Sequence, residues 1–263
     1  MSVSLNPLVK KEFNRCESCA DRVKLPFDFS MAFQPIVNVD TGETYAQEAL
    51  VRGLNGEGAM QVLGQLTPEI MYRFDQRCRA KAIKTAVAAG LRTKLSINFL
   101  PRAVYEPENC LAVTLSYAEK CNLPLDQLIF EVSEQERLND AAHLKYIIDV
   151  YHAHDLTVAF DDFGVDQLGL DSLVKYQPKI VKLDRLFIDH IDQNKRKYAI
   201  VKAMIQLCKD LNITLIAEGI ERIEEAKALR DLGVDLMQGY YFAKPEFERL
   251  PVPNAANLYE LKL

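Results

Sequence analysis

The chain has 263 residues, of which 49% are hydrophobic and 26% are charged, and its formal net charge at pH 7 is −5. This composition is typical of a globular protein and excludes a fibrous or disordered chain. The negative charge argues against an extended surface for duplex nucleic acid, because such a surface needs clustered lysine and arginine. No run approaches the roughly 20 apolar residues that span a bilayer. The first residues also lack the apolar core of a signal peptide. We therefore expect no membrane segment and a cytoplasmic location.

The six cysteines are scattered, and a chain of this size does not need disulfides, so we interpret them mostly as reduced thiols. Cys16 and Cys19 are the one pair with metal-ligand or redox spacing. There is no second pair of this kind, which favours chance or structural cysteines. The alternative is a zinc or redox site in a small amino-terminal element, completed by a partner chain. We expect residues 1–30 to form a charged lead-in and residues 31–263 to form one domain.

Short apolar or alternating runs predict strands, in chain order, at 31–37, 44–52, 94–99, 127–132, 157–161, 179–184, 213–218 and 234–238. Apolar residues at helical spacing predict helices at 67–89, 107–122, 137–154, 169–176, 194–211, 221–232 and 255–262. Strand and helix thus alternate, which favours a mainly parallel sheet. About eight strands in one domain of this length favour a closed (β/α)₈ barrel over an open doubly wound sheet.

The first two predicted strands interrupt this alternation. Only a short segment with the turn residues Asp40, Thr41 and Gly42 separates them, so there is no room for a helix. Two strands joined so closely pair in an antiparallel hairpin. The predicted fold is therefore a modified TIM (β/α)₈ barrel with one antiparallel strand near the amino terminus.

Acidic or amide side chains recur within or just after these apolar runs, where carboxylates are rarely buried without compensation. They are Glu48, Asn98, Glu131, Asp161, Asp162 and Glu218. In parallel barrels, functional groups collect at the carboxyl ends of the strands, so we expect these residues, with Lys182 and Gln238, to face one mouth. Oxygen donors without histidine or cysteine select hard cations such as Mg²⁺ or Mn²⁺. Five carboxylates carry more charge than one divalent ion neutralises, so we predict two ions.

Each of these residues also has a structural interpretation. A single acidic residue at a strand end is more often a helix cap or an ion-pair partner than a ligand, and Asp161 and Asp162 could cap the following turn. Lys182 alone could be a lysine whose stem covers apolar surface. Among carboxylates, it is placed to orient a water or to neutralise phosphoryl charge. The recurrence of the whole set in step favours a shared cation site.

Eight ordered sequence blocks resemble the EAL domain family. They are FQPIV (33–37), QEALVR (47–52), SIN (96–98), EVSE (131–134), DDFG (161–164), KLD (182–184), AEGIE (217–221) and QGYYFAKP (238–245). One such tripeptide has no weight, whereas eight blocks in order are specific. The resemblance implies a cyclic di-GMP phosphodiesterase built on a modified TIM barrel, which cleaves one phosphodiester bond to give linear pGpG with Mg²⁺ or Mn²⁺.

The resemblance also implies roles for individual residues. One ion would be bound by Glu48, Asn98, Glu131 and Asp161, and the other by Asp161, Asp162 and Glu218. Lys182 would contact the attacking water, so that the catalytic residues would be Lys182, Glu48 and Glu218. The substrate would contact Gln34, Leu50, Arg52, Asp184, Glu221 and Gln238, with the forked guanidinium of Arg52 on a phosphate. Glu134 would stabilise the loop after DDFG, unless it is a solvated carboxylate at a helix start.

The chain departs from the family in this loop. Small residues usually follow DDFG, whereas residues 165–170 here read VDQLGL, with Asp166 where glycine is usual. If that position needs a positive φ, aspartate adopts it at some cost. An alternative therefore stays open, namely a catalytically weak EAL module that acts as a cyclic di-GMP sensor or a protein-interaction module. We further expect a homodimer, control by an unidentified regulatory partner, and inhibition by Ca²⁺.

Overall fold

The structure, a computed structural model, describes residues 24–133, 141–165 and 169–262. Cys16, Cys19, Glu134 and Asp166 lie outside these ranges, so the expectations for them stay predictions. The division of the chain at residue 30 stays a prediction as well. The four cysteines in the described ranges, Cys78, Cys110, Cys121 and Cys208, carry free thiols.

The strands form one closed sheet. Their bounds are β1 (Phe29–Asn38), β2 (Thr44–Gly53), β3 (Lys94–Asn98), β4 (Leu128–Ser133), β5 (Thr157–Phe163), β6 (Ile180–Leu183), β7 (Thr214–Ala217), β8 (Leu236–Met237) and β9 (Glu246–Phe247). Strands β2 to β8 are parallel neighbours in chain order, and β1 closes the ring by antiparallel pairing with β2 and β8. The short β9 pairs with β1 outside the ring of eight. The predicted barrel with one antiparallel strand is confirmed.

Helices follow most strands. Their bounds are α1 (Ala59–Leu63), α2 (Pro68–Ala88), α3 (Pro107–Lys120), α4 (Ala141–Ala153), α5 (Asp171–Tyr176), α6 (Arg185–Ile188), α7 (Lys195–Asp210), α8 (Ile223–Asp231) and α9 (Ala255–Lys262), with single 3₁₀ turns at Pro101–Ala103 and Leu125–Gln127. The sequence did not predict α1, α6 or β9, because segments of two to five residues are too short to show a period. In the part of the chain that the structure describes, no helix has the length and apolar character needed to cross a bilayer.

The hairpin between β1 and β2 forms as predicted. The side-chain oxygen of Asn38 accepts hydrogen bonds from the backbone N–H groups of Asp40 and Thr41, at 3.1 and 2.9 Å. Gly42 has a φ of +82°, in the left-handed region that glycine adopts without strain. These two features reverse the chain in a few residues, so that Gln34 of β1 pairs with Glu48 of β2.

Side-chain alternation gives the barrel interior two layers. The apolar layer consists of Ile36, Ala46, Ile129, Ala159, Ile180, Ile216 and Leu236, all buried. The second layer is polar and lies nearer the mouth. Each of its side chains is offset by two positions in the sequence from a residue of the apolar layer, on the same strand or directly after it. These residues are Gln34, Glu48, Glu131, Asp161, Lys182, Glu218 and Gln238. A strand repeats its side-chain direction every second residue, so each polar group of this layer lies next to an apolar residue of the layer below. The polar site therefore has an apolar floor.

A buried ion pair joins the helices to the loop after β3. Asp75 and Arg79, both on α2, are at most 2% exposed, and the Arg79 Nη2 lies 2.6 Å from the Asp75 Oδ2. The other oxygen of Asp75 accepts a hydrogen bond from the backbone N–H of Leu100 at 2.9 Å. The second terminal nitrogen of Arg79 donates to the hydroxyl of Tyr151, on α4, at 3.4 Å. This pair fixes the segment that directly follows Asn98.

Removing the cation of this pair should destabilise the fold. Arg79→Met leaves the Asp75 carboxylate buried without its counter-ion, which costs about 3–5 kcal/mol of unfolding free energy. Arg77→Met, on the same helix, breaks a pair with Asp28 whose side chains are 53% and 72% exposed, and should cost no more than about 1 kcal/mol. Urea unfolding of both variants measures the difference, and equal small losses would contradict the structural role of the buried pair.

Candidate functional site

Lys182 lies at the centre of the barrel mouth and is 1% exposed. Its Nζ lies 2.7 Å from Glu218 Oε1, 3.0 Å from Glu131 Oε2, 3.1 Å from Asp161 Oδ1 and 3.4 Å from Glu48 Oε2. An ammonium group has three protons, so it cannot satisfy four carboxylates. The Asp161 Oδ1 is buried, and apart from its ion-pair contact with the Lys182 Nζ it has no hydrogen-bond partner among the described residues. The site thus contains more acceptor oxygens and more negative charge than its one lysine can balance.

The carboxylates form two clusters that share Asp161. Glu48, Glu131 and Asp161 each present an oxygen within 4.8 Å of the other two, and Asp161, Asp162 and Glu218 do the same. The structure thus brings together the carboxylates of each predicted ion-binding set.

Asn98 lies beside the first cluster. It faces Glu131 across the parallel pairing of β3 and β4, and its Nδ2 donates a hydrogen bond to the Glu48 Oε1 at 3.1 Å. The fourth predicted ligand of the first ion is therefore next to its three carboxylates.

A β-bulge directs two adjacent aspartates into the mouth. Pairing between β5 and β6 goes from Phe160 opposite Val181 to Phe163 opposite Leu183, so β5 has one residue more than β6 over this stretch. Asp162 adopts a φ of +52°, a left-handed conformation that aspartate tolerates better than most residues. In a regular strand, neighbouring side chains point to opposite faces. The bulge removes this alternation and lets both side chains face the carboxylate clusters.

Two serines that the sequence analysis did not identify support the acids. Ser96 donates to the Glu131 Oε1 at 2.5 Å, and Ser133 donates to the Asp162 Oδ2 at 3.1 Å. Ser96 lies two residues before Asn98 on β3, and Ser133 lies two residues after Glu131 on β4. The strand period of two could therefore have found both.

Two glutamines hold Glu48 in position. Gln238 Nε2 donates to Glu48 Oε2 at 2.7 Å and is 3.3 Å from the Gln34 Oε1. Gln34 in turn donates to the backbone carbonyl of Ala243 at 3.1 Å. Both glutamines line a cavity of about 340 Å³ at the mouth, whose wall also includes Asp184, Arg185, Glu218, Glu221 and Tyr240.

Asp184 and Glu221, which were also predicted to contact substrate, line the same cavity. Asp184 caps α6 by accepting a hydrogen bond from the Leu186 N–H at 2.7 Å. Glu221 forms an ion pair with Arg185, which the sequence analysis did not identify.

Leu50 and Arg52, the last two residues predicted to contact substrate, differ in whether they line a cavity at the mouth. Leu50 lines an adjacent, mainly apolar cavity of about 310 Å³ that reaches Glu48, Asn98 and Asp161. Arg52 lines neither cavity, and its Nη1 donates to the carbonyl of Val51 at 2.7 Å. The structure therefore brings Leu50, but not the Arg52 guanidinium, to the site.

Burial and mutual repulsion shift three of the acids toward their protonated forms. Burial raises the pKa of Glu131 and of Glu218 well above the usual range, although Lys182 opposes this. Burial and the neighbouring Asp161 raise the pKa of Asp162 to about 6. Although burial lowers the pKa of Lys182, its carboxylate neighbours raise it well above the usual value. A set of hard oxygen donors with uncompensated negative charge fits divalent cations such as Mg²⁺ or Mn²⁺.

The family model described as "EAL domain" matches residues 25–245. The chain belongs to the EAL domain family. Among solved structures, a standalone EAL protein from Vibrio cholerae O395 in its c-di-GMP-bound form is 46% identical, with a TM-score of 0.86, and the match covers 89% of this chain and 99% of that one. Klebsiella pneumoniae BlrP1, in complex with manganese and cy-diGMP, is 30% identical, with a TM-score of 0.79 and 85% and 58% coverage.

Two curated proteins of Escherichia coli (strain K12) are similar to this EAL chain. The blue light- and temperature-regulated antirepressor BluF is 29% identical over 221 residues, which are 84% of this chain and 55% of BluF. The probable cyclic di-GMP phosphodiesterase PdeG is 27% identical over 227 residues, which are 81% of this chain and 44% of PdeG. The chain thus spans only part of the length of these relatives.

Adding Mn²⁺ to the cation-free EAL chain should raise its Tm, and the rise should be larger at pH 8 than at pH 5. Asp162, with a pKa of about 6, is mostly protonated at pH 5 and ionised at pH 8. At the lower pH, protons therefore compete with the cation for this carboxylate. Scanning calorimetry with and without Mn²⁺ measures both shifts.

Asp162→Asn should reduce the rise in Tm that Mn²⁺ causes at pH 8. The matched control is Glu43→Gln, which changes an exposed acid outside the mouth and should leave this rise in Tm intact. Equal Mn²⁺ shifts at both pH values would contradict cation binding by these carboxylates.

Proposed function

We propose that this chain is a phosphodiesterase that hydrolyses cyclic di-GMP to linear pGpG with two divalent cations, Mg²⁺ or Mn²⁺. The observation that carries the proposal is the pair of carboxylate clusters that share Asp161 around Lys182, in a chain of the EAL domain family. The c-di-GMP in the Vibrio cholerae EAL structure and the name of PdeG support the substrate and the reaction.

One cation would be held by Glu48, Asn98, Glu131 and Asp161, and the other by Asp161, Asp162 and Glu218. When bound, the two ions supply Lewis acidity, which activates a water and stabilises the charge that develops on the phosphate. Manganese in a BlrP1 complex with cy-diGMP supports this choice of metal. The negative charge that Lys182 leaves unbalanced is the physical reason for the site to take up cations.

Lys182 would orient the attacking water. Its ammonium group is buried, donates a hydrogen bond to Glu131 at 3.0 Å and lies between the two carboxylate clusters. Ser96 holds the other oxygen of Glu131, so the ammonium group has a fixed partner. A cationic donor at this point would hold a water by its oxygen and neutralise part of the negative charge of the reacting phosphate.

The substrate would lie across the two cavities of the mouth. Gln34, Gln238, Asp184 and Glu221 would contact it from the polar cavity, while Leu50 would contact it from the apolar cavity. Arg52 would bind a phosphate after exchanging its hydrogen bond to the Val51 carbonyl, and a forked guanidinium suits this role.

The second candidate function is a catalytically weak module that senses cyclic di-GMP or contacts another protein. The unusual VDQLGL run at 165–170 favours it, because this run begins three residues after Asp162. The description of BluF as an antirepressor also supports a role in protein contacts.

A homodimer through the segment after DDFG stays part of the proposal. Leu170 and Val174 are 57% and 73% exposed there, and exposed apolar side chains favour a protein contact. The proposal also includes an unidentified regulatory partner that would bind this chain and control its activity.

Purified protein with Mn²⁺ or Mg²⁺ should convert cyclic di-GMP to a linear dinucleotide, which product analysis by chromatography detects. Glu48→Ala should lower the rate at least roughly 100-fold, since loss of one ligand removes several kcal/mol of charge stabilisation. Glu43→Gln, an exposed acid on the same hairpin, should keep the wild-type rate. Tight binding without turnover by the wild-type protein would support the sensor function, and an unchanged rate in Glu48→Ala would exclude Glu48 from the site.

Calcium should support substrate binding but not turnover. Ca²⁺ is larger than Mn²⁺ and prefers more ligands at longer distances, so it positions water and phosphate poorly for an in-line attack. BlrP1 has a solved calcium complex with cy-diGMP, which agrees with binding. Rates with Mn²⁺, Ca²⁺ and mixtures of both measure the inhibition. Full activity with Ca²⁺ alone would contradict a closely spaced pair of ions.

A further inference from the structure

Glu225 is a buried acid outside the carboxylate clusters of the mouth. It is the third residue of α8 and is 1% exposed. Its Oε1 accepts a hydrogen bond from the backbone N–H of His190 at 3.0 Å. Its Oε2 accepts hydrogen bonds from the N–H groups of Glu221 and Arg222, both at 3.1 Å. One carboxylate therefore binds two segments at the same time, namely the segment after β6, at the residues that follow α6, and the loop after β7.

Helix capping explains only part of this arrangement. A glutamate at the third helical position commonly accepts a hydrogen bond from the residue that caps its own helix, here Arg222. Capping does not explain the bond to His190, which lies 35 residues earlier in the chain. A charge at this depth is costly unless several donors satisfy it. The three N–H groups do so, with the Arg222 Nη1 at 3.9 Å.

The two segments that Glu225 joins carry residues of the mouth. The segment after β6 begins with Asp184 and with Arg185, the first residue of α6, and the loop after β7 contains Glu218 and Glu221. Arg185 and Glu221 form an ion pair between the two segments.

The loop after β7 has little freedom to move independently. A Cβ on Gly219, which has a φ of +69°, would lie 2.6 Å from the Cβ of Arg185, so only glycine allows this approach. Ile220 donates to the backbone carbonyl of Gln238 at 3.1 Å and accepts from the N–H of Tyr241 at 3.0 Å. A shift of this loop would therefore displace three cavity-lining residues together, namely Glu218, Arg185 and Gln238.

We propose that Glu225 is a positioning residue. It positions the carboxylate cluster of Asp161, Asp162 and Glu218, and also the neighbouring wall of the substrate cavity. It acts through the backbone of the two segments that it joins and touches neither cation nor substrate. The role in substrate positioning rests on the proposed function, whereas the role in cation binding can be measured without turnover.

The test compares Glu225→Ala and Glu225→Gln with wild-type protein by calorimetric titration of the cation-free chain with Mn²⁺. Glu225→Ala should weaken one of two Mn²⁺ binding events by roughly 10-fold, as when a group that orients metal ligands is lost, and should leave the other event nearly unchanged. Glu225→Gln keeps one acceptor oxygen and should show a smaller loss. With saturating Mn²⁺, KM for cyclic di-GMP should rise in the same order.

Asn194→Ala is the matched control. Asn194 caps α7 by accepting hydrogen bonds from the N–H groups of Arg196 and Lys197, at 3.1 and 3.2 Å, and it is exposed. Loss of this cap should destabilise α7 and lower the Tm of the protein, but Mn²⁺ affinity and KM for cyclic di-GMP should stay at wild-type values. If Glu225→Ala does not fold, the comparison of Glu225→Gln with Asn194→Ala provides the test.

The outcomes separate the two proposals. Mn²⁺ affinities of both Glu225 variants equal to wild type would overturn the positioning role, even if the wild-type protein hydrolyses cyclic di-GMP. Selective loss of one Mn²⁺ event in a protein that binds but does not hydrolyse the nucleotide would support the positioning role and contradict the proposed reaction. A wild-type chain that binds no Mn²⁺ would overturn both.

Discussion

The structure depends on one electrostatic constraint, which is the excess of buried carboxylates over the single ammonium group of Lys182. Acids held this close repel one another, and the pKa values of Glu131, Asp162 and Glu218 are raised because burial and neighbouring charge disfavour ionisation. Lys182 balances part of the charge, but its three protons cannot serve four carboxylates, and the buried Asp161 Oδ1 has no hydrogen bond besides its ion-pair contact with Lys182. The arrangement is therefore complete only with further positive charge, and this requirement connects the fold to the proposed chemistry.

The barrel creates this constraint through its strand geometry. Alternation places an apolar floor of residues such as Ile129 and Ile180 beneath the acids, which keeps water away on that side and strengthens every charge interaction above it. Antiparallel β1 contributes Gln34 from the opposite chain direction, so the ring closes without a break in the polar layer. The bulge in β5 then adds Asp162 to a position that a regular strand would turn away from the mouth.

Much of the fold and of the acid cluster could be predicted from the sequence, because both follow from a period of two and from turn residues. The turn at Asp40 to Gly42 predicted the hairpin, and acids after apolar runs predicted the polar layer. Other features have no local signal. The bulge at Asp162 depends on pairing with β6, and the role of Glu225 depends on His190, which is distant in sequence and adjacent only in the fold.

The resemblance to EAL proteins identified residues by motif, and the structure refines this view in two places. The Arg52 side chain bonds to its own strand, whereas Arg185, which the sequence did not single out, lines the cavity and pairs with Glu221. Motif matching gives residue identity, but side-chain direction depends on neighbours that the motif does not contain.

The central claim is that paired cations complete the charge balance at the barrel mouth. Anomalous diffraction from crystals grown with Mn²⁺ tests it most directly. We predict two peaks about 3.5–4 Å apart, one among Glu48, Glu131 and Asp161 and the other among Asp161, Asp162 and Glu218. Ions found only outside the mouth, with the Lys182 ammonium still within hydrogen-bond distance of these carboxylates, would contradict the claim.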